Sequence, residues 1–431
     1  MKEQTEVVVL PNGLRLIFDP IDRVRTCAFG IWVRSGVGYE SPAQIGISHM
    51  IEHMVFRGTK TRTSLEIARQ TDEIGGTLNA YTARDHTCFY AHTLREHVPK
   101  ALEILCDMLT APRFDPDDLE AEKRVVLEEY AMYEDSPEDF CSDLFFENAW
   151  RGSTFGANVL GTRETIEAMT REALLAHMLC YYTPERMIVA FSGSFDRDAV
   201  TAICETYFGA RPCGTLPQDR PRAVYTPFLM TREKEFTQNQ LVLGFEGEAF
   251  DDLERYHAAG FLSLLLTGTA SSRLFQRLRD ALGLVYSVDS CNYGFPGSSL
   301  FTISMGLNAE AEPQAISETI AALRFLPETL TSQEFAIVRA HALTRFEMRG
   351  ESVSSRVAYH AENLMDYGRL LPRAEDRAIS ASITQETVCS VARRIFDFDR
   401  ISLCAVGRVR SAADYRAILK EALQAQPDEI K

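Results

Sequence analysis

The sequence has no run of about 18 or more apolar residues, the length that a bilayer crossing requires, so nothing in it is expected to span a membrane. It has no excess of positive charge either. Against 61 Asp and Glu stand only 45 Lys and Arg, for a formal net charge of −16. Recognition of phosphates needs a basic footprint, so this balance argues against a nucleic-acid partner. Solubility is the plain reading of the acidic charge, and attraction of basic peptides is a second one. The opening residues, MKEQTEVVVLPNG, lack a basic stretch followed by an apolar core, and they lack the Arg-rich character of a transit peptide. No targeting segment is expected. Ten cysteines occur without a CxxC pair or regular spacing. In a chain of this size they read as reduced, mostly buried thiols, which points to the cytoplasm.

What the chain does have is length and repetition. Its 431 residues exceed one typical core, so two or more domains are the default. Gly209, Pro212, Gly214, Pro217, Pro221 and Pro227 punctuate GARPCGTLPQDRPRAVYTP, a composition suited to an extended linker. The stretches on either side resemble each other. Thr170 opens a helix-like segment that leads to MIVAFSGSFD, and Thr384 opens another that leads to ISLCAVGRVR. Thr170 to Gly193 and Thr384 to Gly407 both span 23 positions. DPDDLEAEKRVV from Asp115 has a counterpart in TSQEFAIVRAHA from Thr331, each with a capping residue ahead of a long helix. The offsets, 384 − 170 = 214 and 331 − 115 = 216, nearly agree. The division expected is residues 1–210, a linker 211–228, and a homologous half 229–431. Within each half, period-2 apolar strands alternate with longer helical stretches; VVVLPNGLRLIF reads as strand, turn, strand. The fold class expected is α+β: two homologous α/β halves, each a mostly antiparallel sheet packed with helices.

Only nine histidines are present, and two of them share the short helical segment GISHMIEHMVFRGT. Ile47, Met50, Ile51, Met54 and Val55 recur at i, i+3, i+4, i+7 and i+8 and form one apolar face. His49, Glu52 and His53 lie opposite. One turn separates His49 from His53, so both imidazoles can address a single ion. Glu52 stands close to that ion without having to bind it, the placement of a general base for a water that the ion activates. An amphipathic surface helix that carries these residues by coincidence is the alternative. In DDLEAEKRVVLEEYAMY, Glu122, Val125, Val126, Glu129 and Tyr133 share one stripe. A carboxylate turned into an apolar face is costly unless it is paired or metal-bound, so Glu129 is the candidate third ligand and Glu122 a group that orients a ligand. Against this stands a helix whose stripe is simply its wet side. Glu120 and Glu128 turn elsewhere. His86, His92 and His97 lack ligand spacing and are read as non-ligands.

HMIEH followed by a glutamate 76 residues after the second histidine (129 − 53 = 76) resembles the pitrilysin or insulinase family of inverzincin peptidases, in particular its bacterial and mitochondrial processing-peptidase branch. The resemblance runs from the LPNGL opening through the second half. It implies one zinc ion per chain held by His49, His53 and Glu129, with Glu52 as catalytic base and Glu122 in support. It also implies that Asn79 and Ala80 belong to an edge strand that takes peptide substrate by strand addition. In SSRLFQRLRDALGLVYSV it gives Arg279 and Tyr286 a role at the substrate carbonyl. Two such two-domain chains close a clamshell chamber in this family, of which a 431-residue chain supplies half. A homodimer or a heterodimer with a related subunit follows, acting on short or unfolded peptides. The second half has only the apolar YHAAGFLSLLLTGT where the first has its motif, so no second zinc is expected. A non-catalytic scaffold of the same fold and a zinc hydrolase with a non-peptide substrate are the competing readings.

Overall fold

The computed structural model of the chain describes residues 5–215 and 220–425; of the expected linker 211–228, residues 216–219 lie outside the described residues. Contacts divide the chain into two compact units. The first comprises residues up to Tyr130, Ala157–Pro221 and Glu347–Pro372. The second comprises Ala131–Gly156, Arg222–Phe346 and the residues from Arg373 on.

Six strands form the first sheet: β1 (Glu6–Val9), β2 (Arg15–Pro20), β3 (Thr26–Val33), β4 (Thr77–Thr82), β5 (Thr87–Leu94) and β6 (Met187–Gly193). Their order is β1-β2-β6-β3-β5-β4, with β2 and β6 parallel and every other pair antiparallel. The Pro-Asn-Gly turn folds β1 onto β2, with Val9 opposite Arg15. In the second unit β7 (Leu229–Glu233), β8 (Asn239–Phe245), β9 (Val285–Phe295), β10 (Ser298–Leu307) and β11 (Ser402–Gly407) run in the order β7-β11-β8-β10-β9. Again one pair is parallel, β7 with β11, and the remaining pairs are antiparallel. The two sheets therefore repeat one pattern from β2 and β7 onward, and each is mixed and mainly antiparallel.

The helices repeat too. Along the chain come α1 (Ile47–Val55), α2 (Pro116–Asp135), α3 (Pro137–Ala149), α4 (Arg171–Tyr181), α5 (Leu253–Leu266), α6 (Ser332–Glu351), α7 (Val353–Tyr367) and α8 (Gln385–Ile395). The pairs α2/α6 and α3/α7 start 216 residues apart (332 − 116, 353 − 137), and α4/α8 start 214 apart (385 − 171). Thr170 caps α4 by accepting from Ala173 N, as Thr384 caps α8 by accepting from Thr387 N. Gly193 and Gly407 end β6 and β11 with φ of +119° and +118°. A Cβ on either would sit 2.3 Å from the neighbouring strand's start, Thr26 O or Asn239 Oδ1, so only glycine fits.

Both faces of each sheet are covered, so β3 beyond Thr26 and β8 along its whole length are buried rather than alternating. In the first unit one face packs with α1 and its neighbours around Phe29, Ile31 and Phe191. The other, with Ile17, Ala28, Trp32, Ile188 and Ala190, receives Val353, Val357, Ala361 and Leu364 of α7. The second sheet receives Cys141, Leu144 and Phe145 of α3 against Val242, Leu300 and Cys404. Each sheet is thus backed by a helix that comes from the opposite end of the sequence.

Candidate metal centre

α1 starts where a buried carboxylate satisfies its free amides. Glu40 accepts from Gly46 N at 2.6 Å and Ser48 N at 2.8 Å. Burial pushes this carboxyl up to about 7, against those hydrogen bonds. Ile47, Met50, Ile51, Met54 and Val55 are fully buried, which fixes the rotation of the helix and turns His49, Glu52 and His53 the other way. The histidine rings stand 4.6 Å apart between centroids.

Glu129 reaches them from α2. Its Oε2 lies 3.8 Å from His49 Nε2 and 3.5 Å from His53 Nε2. The three ligating atoms fall within 4.8 Å of one another, and this is the one such group among the described residues. Donors on a tetrahedral zinc at about 2.0–2.2 Å lie roughly 3.4 Å apart, so the set fits that ion. Two nitrogens and one carboxylate also suit zinc chemically and leave a fourth position open. Behind His53, Glu122 Oε2 accepts a hydrogen bond from Nδ1 at 2.9 Å, and Glu122 is ion-paired with Arg57. Glu122 is only 2 % exposed. Burial alone raises its carboxyl, but His53 and Arg57 outweigh that and hold it low. Such a carboxylate fixes the imidazole tautomer, leaving Nε2 free to ligate.

The two histidines differ. Burial, helped by His53, pushes His49 down to about 3, so its ring is neutral at neutral pH. Burial also works against a charged His53, yet the Glu122 hydrogen bond and the charges of Glu129 and Glu122 raise it. Glu52 stands outside the three-donor group. Its Oε2 accepts from the Thr82 hydroxyl at 2.5 Å. Burial raises its carboxyl, with Thr82 and His53 opposing, and a raised carboxyl is a stronger base.

One expectation is corrected. The stripe on α2 is not a single apolar face, because Val125 and Tyr133 are 40 % and 43 % exposed. The buried line is Leu119, Glu122 and Val126, and Glu129 sits at its rim. Spacing treats residues some 60° apart on the helix as one face, whereas burial separates them. Glu128 is exposed.

Asn79 and Ala80 lie on β4, the terminal strand of the first sheet, where Ala80 N donates to Asn79 Oδ1 at 2.8 Å. Arg279 and Tyr286 belong to the second unit. Arg279 sits in a π-helical stretch, Phe275–Ala281, its guanidinium 4.9 Å from the Phe275 ring centre. Tyr286 is 73 % exposed on β9, the terminal strand of the second sheet. His86 pairs with Asp85 at 2.9 Å and is no part of the donor group. Glu40, Arg57 and Thr82 are the contributors that sequence reasoning missed. Arg57, one turn beyond His53, was the most legible of them; the other two come together with α1 only through the tertiary fold.

Residues 20–163 match the family described as Insulinase (Peptidase family M16), and residues 168–341 match Peptidase M16 inactive domain. The second match lies beyond His49, Glu52, His53 and Glu129, so its word "inactive" does not bear on them. The chain is 34% identical over 393 residues to "Uncharacterized zinc protease YmxG" of Bacillus subtilis, covering 90% of this chain and 95% of that one. It is 31% identical over 396 residues to an "Uncharacterized zinc protease" of Rickettsia bellii, covering 92% and 96%. Among solved structures, a protease from Helicobacter pylori superposes with a TM-score of 0.87 at 22% identity, over 94% of this chain and 99% of that one. A peptidase M16 inactive domain from Pseudomonas fluorescens gives 0.86 at 17% identity, over 95% and 99%. At those identities the two structures establish a shared fold. No helix among the described residues is long and apolar enough to cross a membrane.

Proposed function

The chain belongs to the insulinase family, peptidase family M16, and on that premise we propose that it is a zinc-dependent peptidase. His49, His53 and Glu129 hold one zinc ion per chain, and Glu52 is the general base. The observation that carries this reading is the convergence of three ligating atoms within 4.8 Å, with Glu52 adjacent and outside the set.

When bound, zinc supplies Lewis-acid polarisation of the scissile carbonyl and of the attacking water. The chain's own groups do the rest. Glu52 takes a proton from that water and returns one to the leaving amine. Glu122 keeps the Nδ1 proton of His53 in place, so that Nε2 stays a donor. An extended peptide adds to the free edge of β4 beside Asn79 and Ala80, gaining main-chain hydrogen bonds whatever its side chains. Arg279 and Tyr286 are assigned to the substrate carbonyl, as the family resemblance gives them. A second copy or a related subunit completes an enclosing chamber, which favours short or unfolded peptides. All ten cysteines are unbridged, which supports a reducing compartment such as the cytoplasm.

Incubating wild type and Glu52→Gln with a mixed peptide library tests the reading. Wild type should cleave peptides, and Glu52→Gln should retain its zinc but lose all but a trace of turnover. An inactive wild type with zinc bound would favour a scaffold of the same fold, and an active Glu52→Gln would remove Glu52 as base.

A further inference from the structure

Thr82 is the last residue of β4, and its hydroxyl lies 2.5 Å from Glu52 Oε2. An ionised carboxylate only accepts, so the hydroxyl is the donor. The donor is held by backbone rather than by Glu52. Thr82 pairs with Thr87 at the start of β5, and Ala83 N donates to His86 O at 2.7 Å to close the turn between them. The Thr87 hydroxyl donates to Ser35 O at 2.8 Å, tying the hairpin to the segment after β3. Gly36 lies so close beneath the turn that a Cβ there would stand 2.4 Å from Ala83 O.

Glu52 is the opposite case: a half-buried side chain with three rotatable bonds, on the face of α1 turned away from the apolar core. Left alone, such a carboxylate samples several rotamers, and catalysis needs one of them. We propose that Thr82 is the positioning residue for Glu52, holding Oε2 so that the other oxygen, Oε1, receives the proton. This rests on Glu52 being the general base, as argued above. Thr82 shares β4 with Asn79 and Ala80. The strand assigned to bind peptide therefore also orients the base, and a peptide that stiffens β4 fixes the donor as it binds. A bond that merely fastened β4 to α1 would matter for zinc retention and for folding, with no separate effect on the chemical step.

The test uses the full-length zinc-loaded chain and an internally quenched peptide built on a sequence that wild type cleaves. Thr82→Val keeps the shape and removes the donor; Thr82→Ser keeps the donor. Thr82→Val should lower kcat roughly ten- to a hundredfold, the weight of one hydrogen bond to a charged group, with KM and bound zinc unchanged. Thr82→Ser should restore most of kcat. If Thr82→Val loses zinc, Thr82→Ala is measured in the same way. Zinc loss in both variants overturns the proposal, as does a wild-type kcat in Thr82→Val or no recovery in Thr82→Ser. A wild type without zinc-dependent cleavage defeats the peptidase reading and this inference together. An active wild type with an equally active Thr82→Val defeats this inference alone.

Discussion

His49 and His53 must each present a neutral nitrogen to a metal, and the fold secures this by different means. For His49 burial is enough, because desolvation disfavours the charged ring. His53 is surrounded by carboxylates that favour its charged form, so it relies on Glu122 to hold the Nδ1 proton and keep Nε2 available. The carboxylates of α2 are therefore unequal. Glu129→Gln removes a charged ligand and should weaken zinc binding by more than about a hundredfold. Glu122→Gln disturbs only the support of His53 and should cost about 10–100-fold. Glu128→Gln changes an exposed group and should leave affinity as it is. Competition of each variant against a zinc-responsive dye measures this order, and zinc loss in Glu128→Gln would reassign the ligand. At this scale the sequence was informative wherever a residue acts through its own helix. The i,i+4 histidines announce themselves, whereas Thr82 and Glu40 act from a hairpin and a loop whose approach to α1 no local pattern encodes.

A buried ion pair joins α7 to β2. Asp19, at the end of β2, is gripped by Arg356 of α7, with Nη2 2.6 Å from Oδ1 and Nε 2.7 Å from Oδ2. The Ser192 hydroxyl donates to Oδ2 at 2.6 Å, and His360 stands 3.6 Å away. Burial pushes the Asp19 carboxyl up, but His360, Arg356 and Ser192 outweigh it and hold it far below the usual range. A lowered folded value means that the ionised form is favoured by folding. Its contribution is complete above the ordinary carboxylate value of about 3.9 and is lost as pH falls below that value. Asp19→Asn removes the carboxylate that Arg356 grips in a buried site and should cost about 3–5 kcal/mol at neutral pH, read from urea melts. The variant's deficit should shrink in melts taken below about pH 4, where wild type begins to lose the same contribution. An equal deficit at every pH would show that packing, rather than charge, holds α7. Neither Asp19 nor Arg356 stood out in the sequence, because their partnership spans 337 positions. The apolar face of α1 was legible by contrast, since its periodicity and its burial coincide.

For the molecule as a whole, duplication was legible from paired intervals, and the structure repeats it in strand order, helix starts and the glycines that end β6 and β11. The exchange of α3 and α7 was not. Both helices bury apolar side chains, and their sequences do not say which sheet receives them. The exchange has a consequence for dissection. A fragment of residues 1–210 lacks α7, so Ile17, Ala28, Trp32, Ile188 and Ala190 would lose their cover. That fragment should bind a dye for exposed apolar surface and melt without a sharp transition. A cooperative melt from a monomeric fragment would show that α7 is dispensable to the first unit. Zinc dependence is the property of the whole chain on which its assignment as a peptidase rests most directly. The measurement is peptide turnover by the full-length chain, stripped with chelator and titrated with zinc. Turnover should vanish on stripping, return in proportion to added metal and level off at one equivalent per chain. Full turnover from the stripped chain, or none at any zinc level, would contradict it.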